Sequence, residues 1–364
     1  MALLRRIKFL LMCIFLLLGA SVIVFADEDI WGGFLPTGEL YTMVDPEGNV
    51  LMQTGREIYP QDQYHTSNNV LYEVVAIDED TRTARTRFVE EVKLEISSWN
   101  SLRQELGLTV IEAAEEGTRG KIALYHTHNA ESYVPTDGTD SKYGQGGIHH
   151  VGQTFADSLS SLGITVDYSE ELHLPHDRGA YRRSRETVLE LLSGHPDAIF
   201  DLHRDAAPQA AYAIELQDKW MTQVHFVVGR QNQNLGVNRK YAQSLKAIAD
   251  DMYPGLVKGI FYGRGNYNQD LSPLSLLLEA GAHTNSRQAA ERGISLFAEV
   301  VDHYFYGPVA EAAGSGQDRI ARNSIVGVLV FTATLATVIY VLNVGGFGPA
   351  LERFRGLVGR RRLK

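Results

Sequence analysis

The chain has 364 residues and a formal net charge of −10, with 44% hydrophobic and 21% charged residues. This length accommodates a main domain plus a smaller one with ample core, and the acidic balance argues against a nucleic-acid partner, which needs a basic face to neutralise phosphates. The one cysteine, Cys13, leaves neither a disulfide framework nor a cysteine-zinc site available.

Arg5-Arg6-Ile7-Lys8, the apolar run Phe9–Phe25 and Val24-Phe25-Ala26 before Asp27 read as a signal peptide or N-terminal anchor over residues 1–26. Residues 27–93 read as a small β-rich domain. In it the turn Asp45-Pro46-Glu47-Gly48-Asn49 separates strands at Leu40–Val44 and Val50–Met52, and two more strands lie at Val70–Ile77 and Thr83–Val89. It shows no catalytic constellation, and His65 reads as an exposed loop residue. Residues 94–119 read as a helical or irregular connector, with the acidic stretch Glu112–Glu116 expected to be solvated.

From residue 120 to 306 strand-like and helix-like patterns alternate, the mark of an α/β domain. Strands are expected at Lys121–Tyr125, Thr165–Tyr168, Ala198–Leu202, Gln223–Val228 and Leu274–Leu278. Helices are expected at His150–Leu162, Tyr181–Leu192, Asn238–Met252 and Ser286–Tyr306.

Three of these strands end in chemistry. The first runs into His126-Thr127-His128-Asn129-Ala130-Glu131, the third into Asp201-Leu202-His203-Arg204-Asp205, and the fifth into Glu279. Ligands collect at the carboxyl ends of strands in open α/β sheets, so the three ends suggest one shared site. A catalytic zinc takes about three imidazole or carboxylate ligands and keeps a fourth position open. His128, Glu131 and His203 supply that set, and Glu279 is left as a general base, since an unpaired carboxylate after three leucines is costly outside a polar pocket.

His126 and His128 share a side if the strand continues, so His126 is an alternative ligand or a neighbour that holds one. His150, at the start of a helix, is a further alternative, and helix-start exposure of His149 and His150 is the bland reading. Asp201 shares a face with His203 and can orient its imidazole. His173, His176, His195, His225, His283 and His303 lack convergent partners and read as surface or packed residues.

Tyr125-His-Thr-His-Asn-Ala-Glu-Ser-Tyr133, Asp201-Leu-His-Arg-Asp205, Tyr267-Asn-Gln-Asp-Leu-Ser-Pro273 and Leu277-Leu-Glu-Ala-Gly281 resemble, in order, the signature blocks of the stage II sporulation protein P family. The resemblance spans roughly Gly120–Tyr306. It implies a zinc amidase-like three-layer α/β domain and a zinc-dependent N-acetylmuramoyl-L-alanine amidase acting on peptidoglycan. It also implies a lytic transglycosylase and other engulfment proteins as partners. Endopeptidase cleavage of stem peptides and non-catalytic wall binding are the competing readings. Arg204 would suit a stem-peptide carboxylate, although its alternate direction on a regular strand argues against this.

After a linker at 307–323, the charge-free run at 324–344 is long enough to span a bilayer as a helix. The tail at 345–364 carries Arg353, Arg355, Arg360, Arg361, Arg362 and Lys364, which marks the cytoplasmic side. The hydrolase domain is then expected outside the cell membrane.

Overall fold

The computed structural model describes residues 33, 35, 38–105, 107 and 119–307. The N-terminal segment 1–26 and the span expected at 324–344 lie outside them, and among the described residues no helix is long and apolar enough to cross a membrane. The first part holds β1 (Tyr41–Val44), β2 (Val50–Thr54), β3 (Gln63–Thr66), β4 (Val70–Asp78), β5 (Thr83–Glu91) and α1 (Trp99–Glu105). There follow β6 (Lys121–Tyr125), α2 (Val134–Asp137), α3 (Ile148–Ser161), β7 (Thr165–Tyr168), α4 (Ala180–Ser193) and β8 (Ala198–Asp205). The last part holds β9 (Ala213–Leu216), β10 (Lys219–Thr222), β11 (Val224–Gly229), α5 (Leu235–Met252), β12 (Val257–Gly263), β13 (Ser275–Ala282) and α6 (Arg287–Tyr306).

Eleven strands form one sheet in the order β2-β1-β5-β4-β3-β12-β11-β13-β8-β6-β7, and β9 pairs with β10 in a separate hairpin. Strands β7, β6, β8 and β13 are mutually parallel. Both β8 and β13 are buried along their whole length, as parallel strands covered on two faces must be.

The period-two alternation of strands sends Ile122, Leu124, Phe200, Leu202, Leu276 and Leu278 to one face, where Val151, Phe155 and Leu159 of α3, Leu245 of α5 and Phe297 of α6 meet them. On the other face Ala123, Tyr125 and Ile199 pack on Val188 of α4. Farther along that face Val227, Phe261 and Leu277 meet Met43, Met52, Val74 and Ala84 of the N-terminal strands. Each large apolar side chain so buried contributes about 1.5–3 kcal/mol, so the N-terminal strands are held by core packing as well as by pairing.

The β-rich segment expected at 27–93 therefore does not stand apart as a small domain. It joins the main sheet through β3 and β12, with Thr66 opposite Gly259 and Gln63 opposite Tyr262. His65, expected in an exposed loop, lies in this seam fully buried, its Nε2 3.0 Å from Asn69 Oδ1.

The parallel arrangement brings the carboxyl ends of β6, β8 and β13 to one edge. At the end of β13 the register shifts between Glu279 and Ala282, and Gly281 sits in the left-handed region at φ 73°. A Cβ there would lie 2.6 Å from Thr222 Cγ2, so only glycine fits both the backbone and the space. Gly281→Ala is expected to lower unfolding stability by about 1–3 kcal/mol, read from urea midpoints. Thr222→Ser should recover part of the loss, and a midpoint unchanged in Gly281→Ala would mean that the bulge imposes no such constraint.

Candidate metal and hydrolytic site

Strand β6 stops at Tyr125, and the chain turns at Asn129 and Ala130. This brings His128 and Glu131 together, with His128 Nδ1 3.6 Å from Glu131 Oε1. The same oxygen lies 3.5 Å from His203 Nδ1 at the end of β8 and 3.8 Å from His176 Nε2 in the loop before α4. Three imidazoles thus surround one carboxylate oxygen. The other, Oε2, accepts from the backbone N–H of Arg204 at 2.8 Å. His128, Glu131 and His176 each offer a donor atom within 4.8 Å of the others. They face a cavity of about 540 Å³ lined also by Gly55, Arg204 and His283.

His203 is held from behind. Its Nε2 lies 2.9 Å from Asp201 Oδ1, and Asp201 is itself fixed by the Thr127 N–H at 2.8 Å and the Thr127 hydroxyl at 2.7 Å. A carboxylate on the far nitrogen is the usual way of aiming an imidazole at a metal. The Tyr181 ring packs 5.2 Å from His128 and 6.2 Å from His203. Tyr181 is held in turn by Tyr267, at 5.5 Å, and by Asn268, which donates to the Tyr181 carbonyl at 3.0 Å. Tyr267 and Asn268 both adopt positive φ, 53° and 58°, so the third signature block is a strained turn that supports the site.

Glu279 lies beside His203 on the neighbouring strand. Its Oε1 accepts two hydrogen bonds from Arg56, one from Nε at 2.8 Å and a shorter one from a terminal nitrogen. Its Oε2 is buried and takes no hydrogen bond among the described residues. Burial pushes the Glu279 carboxyl up to about 7 against the opposing pull of Arg56.

Glu131, Asp201, Asp205 and Glu279 are each no more than 3% exposed. The guanidinium groups buried with them are Arg56 and Arg204. The remaining charge is met at His203: burial opposes its protonation, yet Asp201 and Glu131 outweigh burial and push it up to about 10. Glu131 responds in kind, held well below the usual carboxylate range by His203 and Arg204 despite burial. His128 and His176 are pushed the other way by burial, His176 to about 3, and stay neutral. Neutral imidazoles at His128 and His176 beside the Glu131 carboxylate are a donor set of the kind a divalent cation such as zinc requires, and these residues fit that group; His203 would join it on giving up a proton.

The remaining sequence candidates fall into different places. His126 does not share a side with His128, because the strand has ended before it. Its Nδ1 lies 2.7 Å from the Leu202 carbonyl oxygen and its Nε2 2.8 Å from the Tyr168 hydroxyl, and it packs on Gly152 of α3, where a Cβ would sit 2.5 Å from Nε2. His150 is exposed on α3, outside the donor group, whereas His149 beside it is buried against expectation. Arg204, still within β8, donates to the carbonyls of Ser132 at 3.2 Å and Asp140 at 2.7 Å, clamping the Glu131 loop. His176, read from the sequence as surface or packed, belongs to the site. The signal was its place in the loop after β7, another carboxyl end of the parallel sheet. Arg56 comes from the segment judged free of catalytic residues, and nothing local to it marked it.

Fold and site together define an α/β protein with a His/Glu donor group and a separate buried carboxylate at its strand ends, compatible with a metal site. A family model described as stage II sporulation protein P matches residues 42–302, and the chain belongs to that family. Stage II sporulation protein P of Bacillus subtilis (strain 168) is 30% identical over 222 residues, 56% of this chain and 55% of the relative. The chain thus spans about half the length of that curated relative. Among solved structures, an N-acetylmuramyl-L-alanine amidase from Mycobacterium smegmatis aligns at 15% identity over 52% of this chain and 95% of its own, with a TM-score of 0.32. An amidase from Clostridioides difficile, solved in complex with a lipoprotein, aligns at 15% identity over 50% of this chain and 97% of its own, also at 0.32. At such scores the likeness carries no weight for fold or activity.

Equilibrium dialysis of the full-length protein against zinc is expected to load one ion per chain. His128→Ala and Glu131→Ala should empty the site and His150→Ala should leave it filled. Because Asp201 aims His203 at Glu131, His203→Ala should also empty it, while His176→Ala, on a rim loop, should retain the ion. The opposite result for the last pair assigns the third ligand to His176.

Proposed function

We propose that this protein is a membrane-anchored, zinc-dependent peptidoglycan hydrolase that works outside the cell, cleaving the amide between N-acetylmuramic acid and L-alanine during sporulation-type wall remodelling. The observation that carries the reading is the family match over residues 42–302, which spans every residue of the donor group and Glu279. His128, Glu131 and His203 would hold the zinc. When bound, it polarises the scissile carbonyl and acidifies water at the site.

The protein's own side chains supply the rest. Among the described residues Glu279 Oε2 has no other hydrogen-bond duty, so it takes the proton of the attacking water and returns it to the leaving amine. A carboxyl raised to about 7 by burial suits both directions of transfer near neutral pH. Asp201, with Oδ1 2.9 Å from His203 Nε2, would hold the ring in place with Nδ1 turned to the site. Arg204 keeps the Glu131 loop closed on the donor group. His176 and His283, on the cavity wall, offer imidazoles to the amide and carboxylate groups of a stem peptide. A lytic transglycosylase is the partner that fits, because stripping stems leaves bare glycan for a second enzyme to cut.

The test is mass analysis of purified sacculi digested by the full-length protein in detergent with zinc. Stem peptides released with free L-alanine amines support the proposal. Intact stems parted at their cross-links would make the protein an endopeptidase, and absence of soluble product would leave a wall-binding role. Glu279→Gln is expected to keep zinc and wall binding and to lose roughly 10²–10⁴-fold in turnover. Loss of zinc in that variant would make Glu279 a ligand instead of the base.

A further inference from the structure

The N-terminal strands reach the site at one point. After β2 the chain enters Thr54-Gly55-Arg56, and this tripeptide is docked on the ends of β8 and β13. The Thr54 hydroxyl donates to Asp205 Oδ1 at 2.8 Å and the Gly55 N–H to the same oxygen at 3.2 Å. Asp205 is held in turn by the Tyr212 hydroxyl, 2.8 Å from Oδ2. A Cβ on Gly55 would lie 2.5 Å from Ala206 Cβ, so the contact is too close for any other residue. Arg56 follows, its N–H donating to Thr54 Oγ1 at 3.1 Å and its guanidinium lying 5.4 Å from the centre of the Tyr267 ring. Two of its nitrogens converge on Glu279 Oε1.

We propose that Arg56 is a positioning residue for the hydrolytic reaction, fixing the Glu279 carboxylate so that Oε1 is occupied and Oε2 alone is presented to the reacting water. This rests on the reading of Glu279 as the general base. A carboxylate with both oxygens unbonded rotates freely and spends little time aimed at its proton, whereas one held by two converging N–H groups keeps a single orientation. A releasable inhibitory clamp fits the geometry less well. Both partners are buried, with side chains 3% and 1% exposed, and separating them would leave two uncompensated charges inside the protein. The anchoring through Asp205, Gly55 and Tyr267 is likewise that of a fixed part. The active centre of this protein is then built from two distant stretches of chain, and the β-rich segment belongs to it.

Full-length Arg56→Lys, Arg56→Ala and Glu279→Gln proteins are compared with the parent for sacculus hydrolysis, zinc content and thermal melting. An inactive parent, or a fully active Glu279→Gln, would overturn the underlying reading without touching Arg56. With that reading upheld, Arg56→Ala is expected to lose about 10²-fold in kcat with KM and zinc unchanged. Low-millimolar guanidinium should restore part of the loss, because it refills the vacated space with the same donors. Arg56→Lys, which keeps the charge but not the paired donors, should fall between. Should Arg56→Ala fail to fold, Arg56→Lys decides the matter by its kcat alone. A rise in activity in either variant would make Arg56 an inhibitory clamp, and parental kcat in Arg56→Lys, or a loss confined to KM, would overturn the proposal.

Discussion

Four carboxylates buried within one strand edge are the constraint around which this protein is built. Each costs several kcal/mol to desolvate unless a cation and hydrogen bonds meet it, and the surrounding structure can be traced as the set of answers. Asp201 is answered by Thr127 and His203, Asp205 by Thr54, Gly55 and Tyr212, and Glu279 by Arg56. Glu131 is answered by the Arg204 backbone and a ring of histidines. Only the last of these answers gathers several imidazoles around one carboxylate oxygen, and that is where a metal cation fits.

The same constraint explains the extended sheet. Without the segment after β2, Glu279 would lose Arg56 and Asp205 would lose Thr54 and Gly55. Adding β3 to β12 places that segment over the strand ends, and the apolar residues of β1, β2, β4 and β5 cover Val227, Phe261 and Leu277. Sheet pairing, core burial and charge satisfaction therefore all depend on one seam, in which His65 and Gly259 are buried side by side.

Much of the α/β order was legible in the sequence because its strands and helices carry strong period. Thr165–Tyr168 matches its expected bounds, and α4 and α6 begin and end within a residue or so of expectation. β12 was missed because Gly259 interrupts its apolar run and a lysine precedes the glycine. β3 was missed because Gln63-Tyr64-His65-Thr66 has only one apolar residue. Both owe their strand state to the neighbours they pair with, which no local pattern records. These two strands form the seam, so missing them made the N-terminal part look like a separate domain.

The site was legible to the extent that its residues follow strand ends, and illegible where alternation was carried too far. His126 and His128 are two apart, yet one packs toward α3 and the other toward α4, because regular strand geometry stops at Tyr125 and the residues beyond it obey the turn. Arg56 was beyond reach for a different reason. It lies 223 positions from Glu279, in a segment with no chemical signature of its own. A charge search would not have found it, since arginines are common on exposed strands and loops. What distinguishes Arg56 is burial, and burial follows from the seam and the glycine before it. A buried arginine beside a buried carboxylate becomes expected only once the sheet is known to continue, so the chemistry of this site could be completed only after its topology.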